Sequence, residues 1–149
     1  MARPHELDLA LELLHFGFRA IVAGPDRALS RRGLGRAHHR VLYFIRQNDG
    51  LAVGELVRIL GVTKQAMHRP LAELVAKKLV VRRPDPSNRR VARLHLSAAG
   101  ASFERALSGA QRAHFERAFR AAGPRAEDGW RAVMKALAER RARPPRSRP

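Results

Sequence analysis

The stretch LGVTKQAMHRPLAELVAKKLVVRRPDPSNRRVARLHLS, residues 60–97, decides the fold of this chain. Gly61 ends a short helix predicted over residues 53–60. Thr63 can then cap a longer helix, which is predicted from Lys64 to Lys78. A short helix, a glycine turn and a longer helix together form the helix-turn-helix pattern.

Two strands are predicted after the longer helix, over residues 79–81 and 91–96. In the second strand apolar residues alternate with Arg93 and His95, which is typical of a strand with one buried face. The run PDPSN, residues 84–88, separates the strands and is rich in turn-forming residues. A helix-turn-helix followed by a β-hairpin is a winged helix, so we expect a mainly α fold with a small β-hairpin wing.

Helices are also predicted on both sides of this core. Gly24-Pro25 is expected to stop the first of them, and residues 26–33 to form a connector. The first helix carries apolar residues over much of its circumference, which indicates a second packing surface and hence a dimer. By their apolar spacing the flanking helices cover residues 5–23, 34–48, 97–122 and 126–141.

The charge of the chain points to a polyanionic partner. Lys and Arg number 30 against 13 Asp and Glu, for a net charge of +17. Such a balance attracts nucleic acid, an anionic membrane or an acidic protein, unless it only reflects a basic composition. Residues 61–95 contain nine basic and two acidic residues, so the charge is concentrated where the second helix and the hairpin lie.

The longer helix has one apolar and one polar side. Met67, Leu71 and Leu74 share the side expected to be buried, which leaves Gln65 and Arg69 facing outward with His68 and Ala72. Gln and Arg are suited to reading adenine and guanine edges in the major groove. Arginines on a narrow hairpin can enter a minor groove. The candidate DNA-binding residues are Thr63, Lys64, Gln65, His68, Arg69, Arg82, Arg83, Asn88, Arg89 and Arg90.

These residues resemble the MarR (multiple antibiotic resistance regulator) family of winged helix-turn-helix regulators. The resemblance implies a homodimer whose recognition helices enter successive major grooves of a pseudo-palindromic operator in double-stranded DNA. It also implies base reading by Gln65, His68 and Arg69, with Arg90 at the wing tip in the minor groove. The motifs that carry it are Leu60-Gly61, Thr63-Lys64, Arg69, Leu74, Leu79-Val80, Asp85-Pro86, Arg89-Arg90 and Leu96-Ser97.

The resemblance also implies the organisation of the chain. Residues 1–33 are expected to hold a dimerisation helix and a connector, and residues 34–97 the winged DNA-binding core. Residues 98–141 would supply the C-terminal dimerisation helices. Residues 142–149 would form a basic disordered tail that either grips phosphates or only aids solubility.

Three positions depart from the family pattern. Asn88 stands where the family usually has an Asp that orients the wing arginine, so a looser hairpin is expected. Pro70 lies inside the recognition helix, where the missing amide should kink or loosen it, and restricts Arg69 before it. Ala52 takes a place where a Thr often caps the short helix.

Members of the family often bind an aromatic acid between the dimer helices and the winged core. The candidates for such an effector site are His15, Arg19, His39 and Tyr43, which are equally well explained as packing or exposed residues. An effector would release DNA by favouring one of two conformations. The function expected is therefore a repressor released by a small molecule.

Other chemistry finds little support in the sequence. The chain has no Cys, and its His residues lack metal-ligand spacing, so neither a metal nor a cofactor is expected. No phosphate loop or nucleophile elbow indicates an enzyme. No apolar run is long enough to span a bilayer, and a cytoplasmic protein is expected. Two rivals stay open: a basic architectural protein that coats DNA with little sequence choice, and a metal-responsive switch.

Overall fold

The computed structural model describes residues 3–141, which form six helices and three short strands. The fold is mainly helical with a small antiparallel sheet, as the sequence predicts. The expected tail over residues 142–149 lies outside the described residues. The elements are α1 (Pro4–Ser30), α2 (Arg36–Gln47), β1 (Leu51–Ala52), α3 (Val53–Leu60), α4 (Lys64–Ala76), β2 (Val80–Pro84), β3 (Ala92–Leu96), α5 (Ala98–Ala122) and α6 (Pro124–Arg141).

The wing is a β2–β3 hairpin to which β1 adds a third strand. All pairs are antiparallel in the order β1-β3-β2, with Val80 opposite Leu96 and Leu51 opposite Leu94. β1 was not predicted, because two residues cannot show an alternating pattern. Its pairing with β3 ties the wing to the helix-turn-helix formed by α3 and α4.

The chain divides into two compact units between Gln111 and Arg112. In the first unit α2 packs against α1, α3, α4 and β3. Burying an aliphatic side chain contributes about 1.5–3 kcal/mol, so this core is the main source of stability in the unit. Its fully buried apolar residues are Leu29, Val41, Leu42, Ile45, Leu56, Leu74 and Leu94.

The second unit holds the end of α5 and all of α6. Phe115 and Phe119 of α5 lie against Trp130 of α6, with ring centroids 5.0 and 5.5 Å from the Trp130 ring. Gly123, at φ +89°, makes the turn between the two helices, and Pro124 starts α6. The break predicted at this dipeptide is confirmed.

The end predicted for α1 is wrong. The helix runs through Gly24-Pro25 to Ser30, so residues 26–30 are helical rather than part of a connector. Val22, Pro25 and Leu29 are buried on one side of the helix. Packing of this side against the core outweighs the single amide hydrogen bond that Pro25 cannot donate.

α4 begins where predicted and ends two residues early. Thr63 Oγ1 accepts a hydrogen bond of 3.0 Å from the Ala66 amide, as expected of a cap. The helix stops at Ala76, and Lys78 takes a left-handed conformation at φ +58°. Pro70 does not interrupt the helix, which continues on both sides of it.

The start of α5 is fixed tightly to the base of the wing. Ser97 Oγ donates to the Lys78 carbonyl at 2.7 Å and accepts from the Gly100 amide at 3.0 Å, which caps the helix. A Cβ on Gly100 would lie 1.9 Å from the Leu79 carbonyl oxygen. This close approach requires glycine at position 100.

In the part of the chain that the structure describes, no helix is long and apolar enough to cross a membrane.

Candidate nucleic-acid interface

The outward side of α4 presents the side chains that the sequence predicts. Met67, Leu71 and Leu74 are buried, and Gln65 and Arg69 are exposed together with Thr63, Lys64, His68 and Ala72. The helical period of the apolar residues thus places a polar surface on the helix that follows the turn. Such a surface has the donors and acceptors that base edges in a major groove require.

Arg69 is paired with a carboxylate on the same helix. Its Nε donates to Glu73 Oε1 at 2.7 Å, and the other oxygen, Glu73 Oε2, lies 3.0 Å from His38 Nε2 in α2. The Arg69 hydrogen bond holds the pKa of Glu73 below its usual value, with His38 adding to the effect. Glu73 is therefore an anion at neutral pH, next to a residue predicted to read DNA.

The turn of the wing is held together by Asp85. Its Oδ1 accepts from the amides of Ser87 and Asn88, at 2.8 and 3.1 Å, and from Ser87 Oγ at 2.6 Å. Its Oδ2 accepts from Arg93 Nε at 2.7 Å. The Ser87 and Arg93 hydrogen bonds hold the pKa of Asp85 far below its ordinary value of 3.8.

Asp85, rather than the residue at position 88, ties the turn, and the looser hairpin expected from Asn88 stays a prediction. Asn88 Oδ1 accepts only the amide of Arg90, at 3.2 Å, and so orders the backbone beside the tip. No contact joins Asn88 to an arginine side chain among the hydrogen bonds of residues 3–141. Asn88 thus supports the shape of the loop.

Four arginines of the wing are exposed. Within residues 3–141 none of them forms an ion pair with a carboxylate. Arg93 differs, because Asp85 and Glu55 both lie against its guanidinium, the latter at 3.7 Å from Nη1. The positive charge available to a polyanion at the hairpin is that of Arg82, Arg83, Arg89 and Arg90.

Arg58 is a basic residue of this region that the sequence reading missed. It lines a groove of about 390 Å³ between the start of α3 and the wing, together with Arg82 and Arg90. Arg58 belongs to α3 and so lies before residues 61–95, where the basic residues are concentrated. The signal that would have found Arg58 is its place in α3, the first helix of the helix-turn-helix, which packs against β3.

Ala52 precedes α3 and provides no side-chain cap, and Glu55 compensates. The Glu55 carboxylate accepts the Ala52 amide at 2.8 Å, which is the second half of a capping box. The start of α3 therefore keeps one of the two hydrogen bonds of a capping box, although Thr is absent at position 52.

A cavity of about 210 Å³ contains two of the four effector candidates. His39 and Tyr43 of α2 line it, whereas His15 and Arg19 are exposed on α1 and lie outside the lining. Arg36 in the wall is already paired with Asp26 at 2.8 Å. The remaining lining residues are Phe18, Val22, Pro25, Arg40 and Gln111.

Behind this cavity lies a buried polar network. His39 Nε2 is 3.2 Å from Ser108 Oγ, Ser108 donates to Glu104, and the fully buried Glu104 pairs with Arg46. Burial lowers the pKa of His39, so its ring is neutral at pH 7. No pattern in the sequence indicates this network, since its members come from two helices far apart in the chain.

Comparison with known proteins supports this architecture. The sequence pattern of the MarR family matches residues 32–91. The chain is 43% identical over 132 residues to the HTH-type transcriptional regulator PetP of Rhodobacter capsulatus, which covers 89% of this chain and 80% of PetP.

Solved structures of the family share the fold. A crystal structure of a MarR family transcription regulator superposes with a TM-score of 0.77 at 22% identity, covering 93% of this chain and 91% of that one. A MarR family regulator from Silicibacter pomeroyi gives a TM-score of 0.69 at 26% identity, covering 86% of each chain. With its winged helix-turn-helix and its basic hairpin, this chain belongs to the MarR family of DNA-binding transcriptional regulators, which are not enzymes.

Proposed function

We propose that this chain is a homodimeric, sequence-specific repressor that binds a pseudo-palindromic operator in the cytoplasm. The observation that carries the proposal is the pair of exposed surfaces described above. α4 offers polar side chains to base edges, and the wing offers four arginines that pair with no carboxylate of residues 3–141. The proposed repression acts through occupancy of promoter DNA.

Base reading is assigned to Gln65, His68 and Arg69, and the minor groove to Arg90. Thr63 and Lys64 lie at the start of α4, where a phosphate is attracted both by the helix terminus and by the Lys64 charge. Arg82, Arg83 and Arg89 add phosphate contacts, and Asn88 shapes the tip of the wing. Arg58 joins this set because it shares a groove with Arg82 and Arg90.

Exposed apolar residues on α1 support the dimer. Leu11 is 67% exposed and Phe16 is 61% exposed, which is costly for a helix that has no partner. α6 also exposes Val133 and Leu137. We assign dimerisation to residues 1–33 and 98–141, and DNA binding to residues 34–97. The other exposed apolar residues of α1 are Leu7, Leu9, Leu13, Leu14 and Phe18.

The effector is proposed to be a small aromatic acid bound in the cavity beside α2. Its wall combines the aromatic rings of Phe18 and Tyr43 with Arg40, which suits a flat anion. His39 lines this cavity and is also the first member of the network that reaches Glu104. A ligand that fits one conformation better than the other would shift the affinity for DNA.

Selection of bound duplexes from a random DNA pool tests DNA recognition, with and without benzoate and salicylate as probes. A recovered sequence with two related half-sites about one helical turn apart is expected. A pool that shows no enrichment would overturn the proposal. Weaker enrichment in the presence of either acid would support the effector, and equal enrichment would count against aromatic acids.

Sedimentation of wild type and Leu11→Asp tests the dimer. Leu11 lies on an exposed side of α1, so the variant is expected to fold as a monomer. A wild-type protein that sediments as a monomer at micromolar concentration would contradict the proposal.

A second candidate is a basic architectural protein with little sequence choice, favoured by the net charge of +17 and the four exposed wing arginines. It predicts nearly equal affinity for the selected duplex and for a scrambled one. It also predicts a steep salt dependence, with about 0.9 log units of affinity per log unit of salt for each phosphate neutralised.

A further inference from the structure

Arg69 is held in a way that leaves its base-reading atoms available. The Glu73 carboxylate accepts a hydrogen bond from Arg69 Nε, and the Arg69 side chain is still 89% exposed. No hydrogen bond within residues 3–141 involves its Nη1 or Nη2. A guanine presents two acceptors, O6 and N7, and two guanidinium nitrogens can donate to both.

Glu73 is itself fixed from a second helix. The backbone amide of Gly35 donates to His38 Nδ1 at 2.9 Å, so the proton of the neutral ring lies on Nε2. That Nε2 is 3.0 Å from Glu73 Oε2 and donates to it. The His38 side chain is only 13% exposed. Glu73 therefore joins a half-buried residue of α2 to an exposed arginine of α4.

This three-residue arrangement differs from an ordinary surface ion pair. An exposed ion pair between residues i and i+4, with no third partner, stabilises a helix by only a few tenths of a kcal/mol. Here the carboxylate is anchored at its second oxygen, so it limits the rotamers of Arg69 before DNA arrives. A side chain ordered in advance loses less entropy on binding.

We propose that Glu73 is a specificity-determining positioning residue, which orients Arg69 to read a guanine in the operator. The inference rests on the proposed function, in which Arg69 contacts a base. Glu73 has a second effect, because its negative charge opposes any phosphate that comes close to the helix. It should therefore disfavour non-specific DNA while it supports the specific complex.

The test compares two 20-base-pair duplexes of equal composition, the one best enriched by the wild type and a scrambled one. Affinities are measured by fluorescence anisotropy for wild type, Glu73→Gln, Arg69→Ala and the double variant. Glu116→Gln is the matched control, because Glu116 forms an equivalent i,i+4 pair with Arg120 at 2.7 Å on α5. Thermal unfolding checks that each variant folds.

We expect Glu73→Gln to bind the selected duplex about tenfold more weakly, which is the loss of one oriented base contact. Binding to the scrambled duplex should stay equal or become stronger. In the Arg69→Ala background the same change should leave the ratio of the two affinities unaltered. Glu116→Gln should leave the ratio of the two affinities at its wild-type value.

Glu73→Asp keeps the charge but has too short a side chain to reach Arg69 and His38 together, so it should lose the same preference. If Glu73→Gln instead changes both affinities in parallel, or if its effect persists without Arg69, the inference is overturned. A wild type without preference for its selected duplex would refute the proposed function itself. Preference lost in Arg69→Ala but kept in both Glu73 variants would refute only the role of Glu73.

Discussion

Asp85 Oδ2 lies 2.7 Å from Arg93 Nε and joins the turn of the wing to strand β3. The same carboxylate accepts three hydrogen bonds within the turn, from Ser87 and Asn88. One buried residue thus fixes the loop that presents Arg89 and Arg90. Arg93, one of the nine basic residues between residues 61 and 95, supports this loop.

Replacing Asp85 by Asn should lower the stability of the folded protein at neutral pH. The pKa of Asp85 is lower in the folded state than its ordinary 3.8, so its ionised form stabilises the fold at pH values above about 4. This contribution disappears as the pH falls through the folded pKa. Urea unfolding of both proteins between pH 7 and pH 2.5 checks this. The gap between them should be widest at pH 7 and narrow below pH 4, and a gap independent of pH would speak against it.

Replacing Gly100 by Ala should destabilise the protein by about 2–4 kcal/mol, because backbone must move to accept the new methyl group. The Leu79 carbonyl that a Cβ would meet at 1.9 Å is held by the Ser97 amide at 3.1 Å. Gly129→Ala in α6 is the control, since a Cβ there meets nothing within 4 Å. The control should be neutral or slightly stabilising, and equal unfolding midpoints for both variants would refute the close contact.

Pro70→Ala should stabilise the protein by about 1–3 kcal/mol, since alanine restores the amide that the Ala66 carbonyl lacks. Pro70 is half-buried and lies in the middle of α4. Urea unfolding measures the gain, with Ala72→Gly as a control expected to lose about 1 kcal/mol on the exposed side of the same helix. If the Pro70→Ala protein is no more stable than wild type, the missing hydrogen bond to the Ala66 carbonyl does not destabilise this helix.

Replacing the buried Glu104 by Ala should lower the free energy of unfolding by about 3–5 kcal/mol, because Arg46 then loses the anion that compensates its charge. The double variant Glu104→Leu with Arg46→Leu should recover much of that loss, since no charge is left without a partner. Chemical unfolding of the two variants checks both statements. A Glu104→Ala variant within 1 kcal/mol of wild type would mean that the pair contributes little.

The parts of the fold that local periodicity controls were predictable from the sequence. Met67, Leu71 and Leu74 repeat at helical spacing, so the buried and exposed sides of α4 could be assigned without coordinates. The end of α1 could not, because the packing of Pro25 against the core depends on residues distant in sequence. For the same reason the partners of Arg93 and the Glu104 network became visible only in the structure.

The site was predictable as a set of residues but not as a set of contacts. The exposed positions on α4 and the wing lie where the pattern places them. Glu73 was counted only as one of two acidic residues in a basic segment, whereas it holds Arg69 from the same helix. Arg58 was missed because it belongs to the helix before the glycine turn. Sequence patterns predict well which residues are exposed, but they predict poorly which side chains contact each other.

The most direct test of the account measures DNA affinity at several salt concentrations for Gln65→Ala, Arg69→Ala and Arg90→Ala. Arg105→Ala is the control, since Arg105 is exposed on α5 outside the proposed contact surface. We expect the two α4 variants to lose about tenfold in discrimination between selected and scrambled duplexes. Arg90→Ala should bind more weakly, with a salt slope lower by about 0.9, while the control keeps wild-type values. If all three variants retain the affinity and sequence preference of the wild type, α4 and the wing are not the surface that contacts DNA.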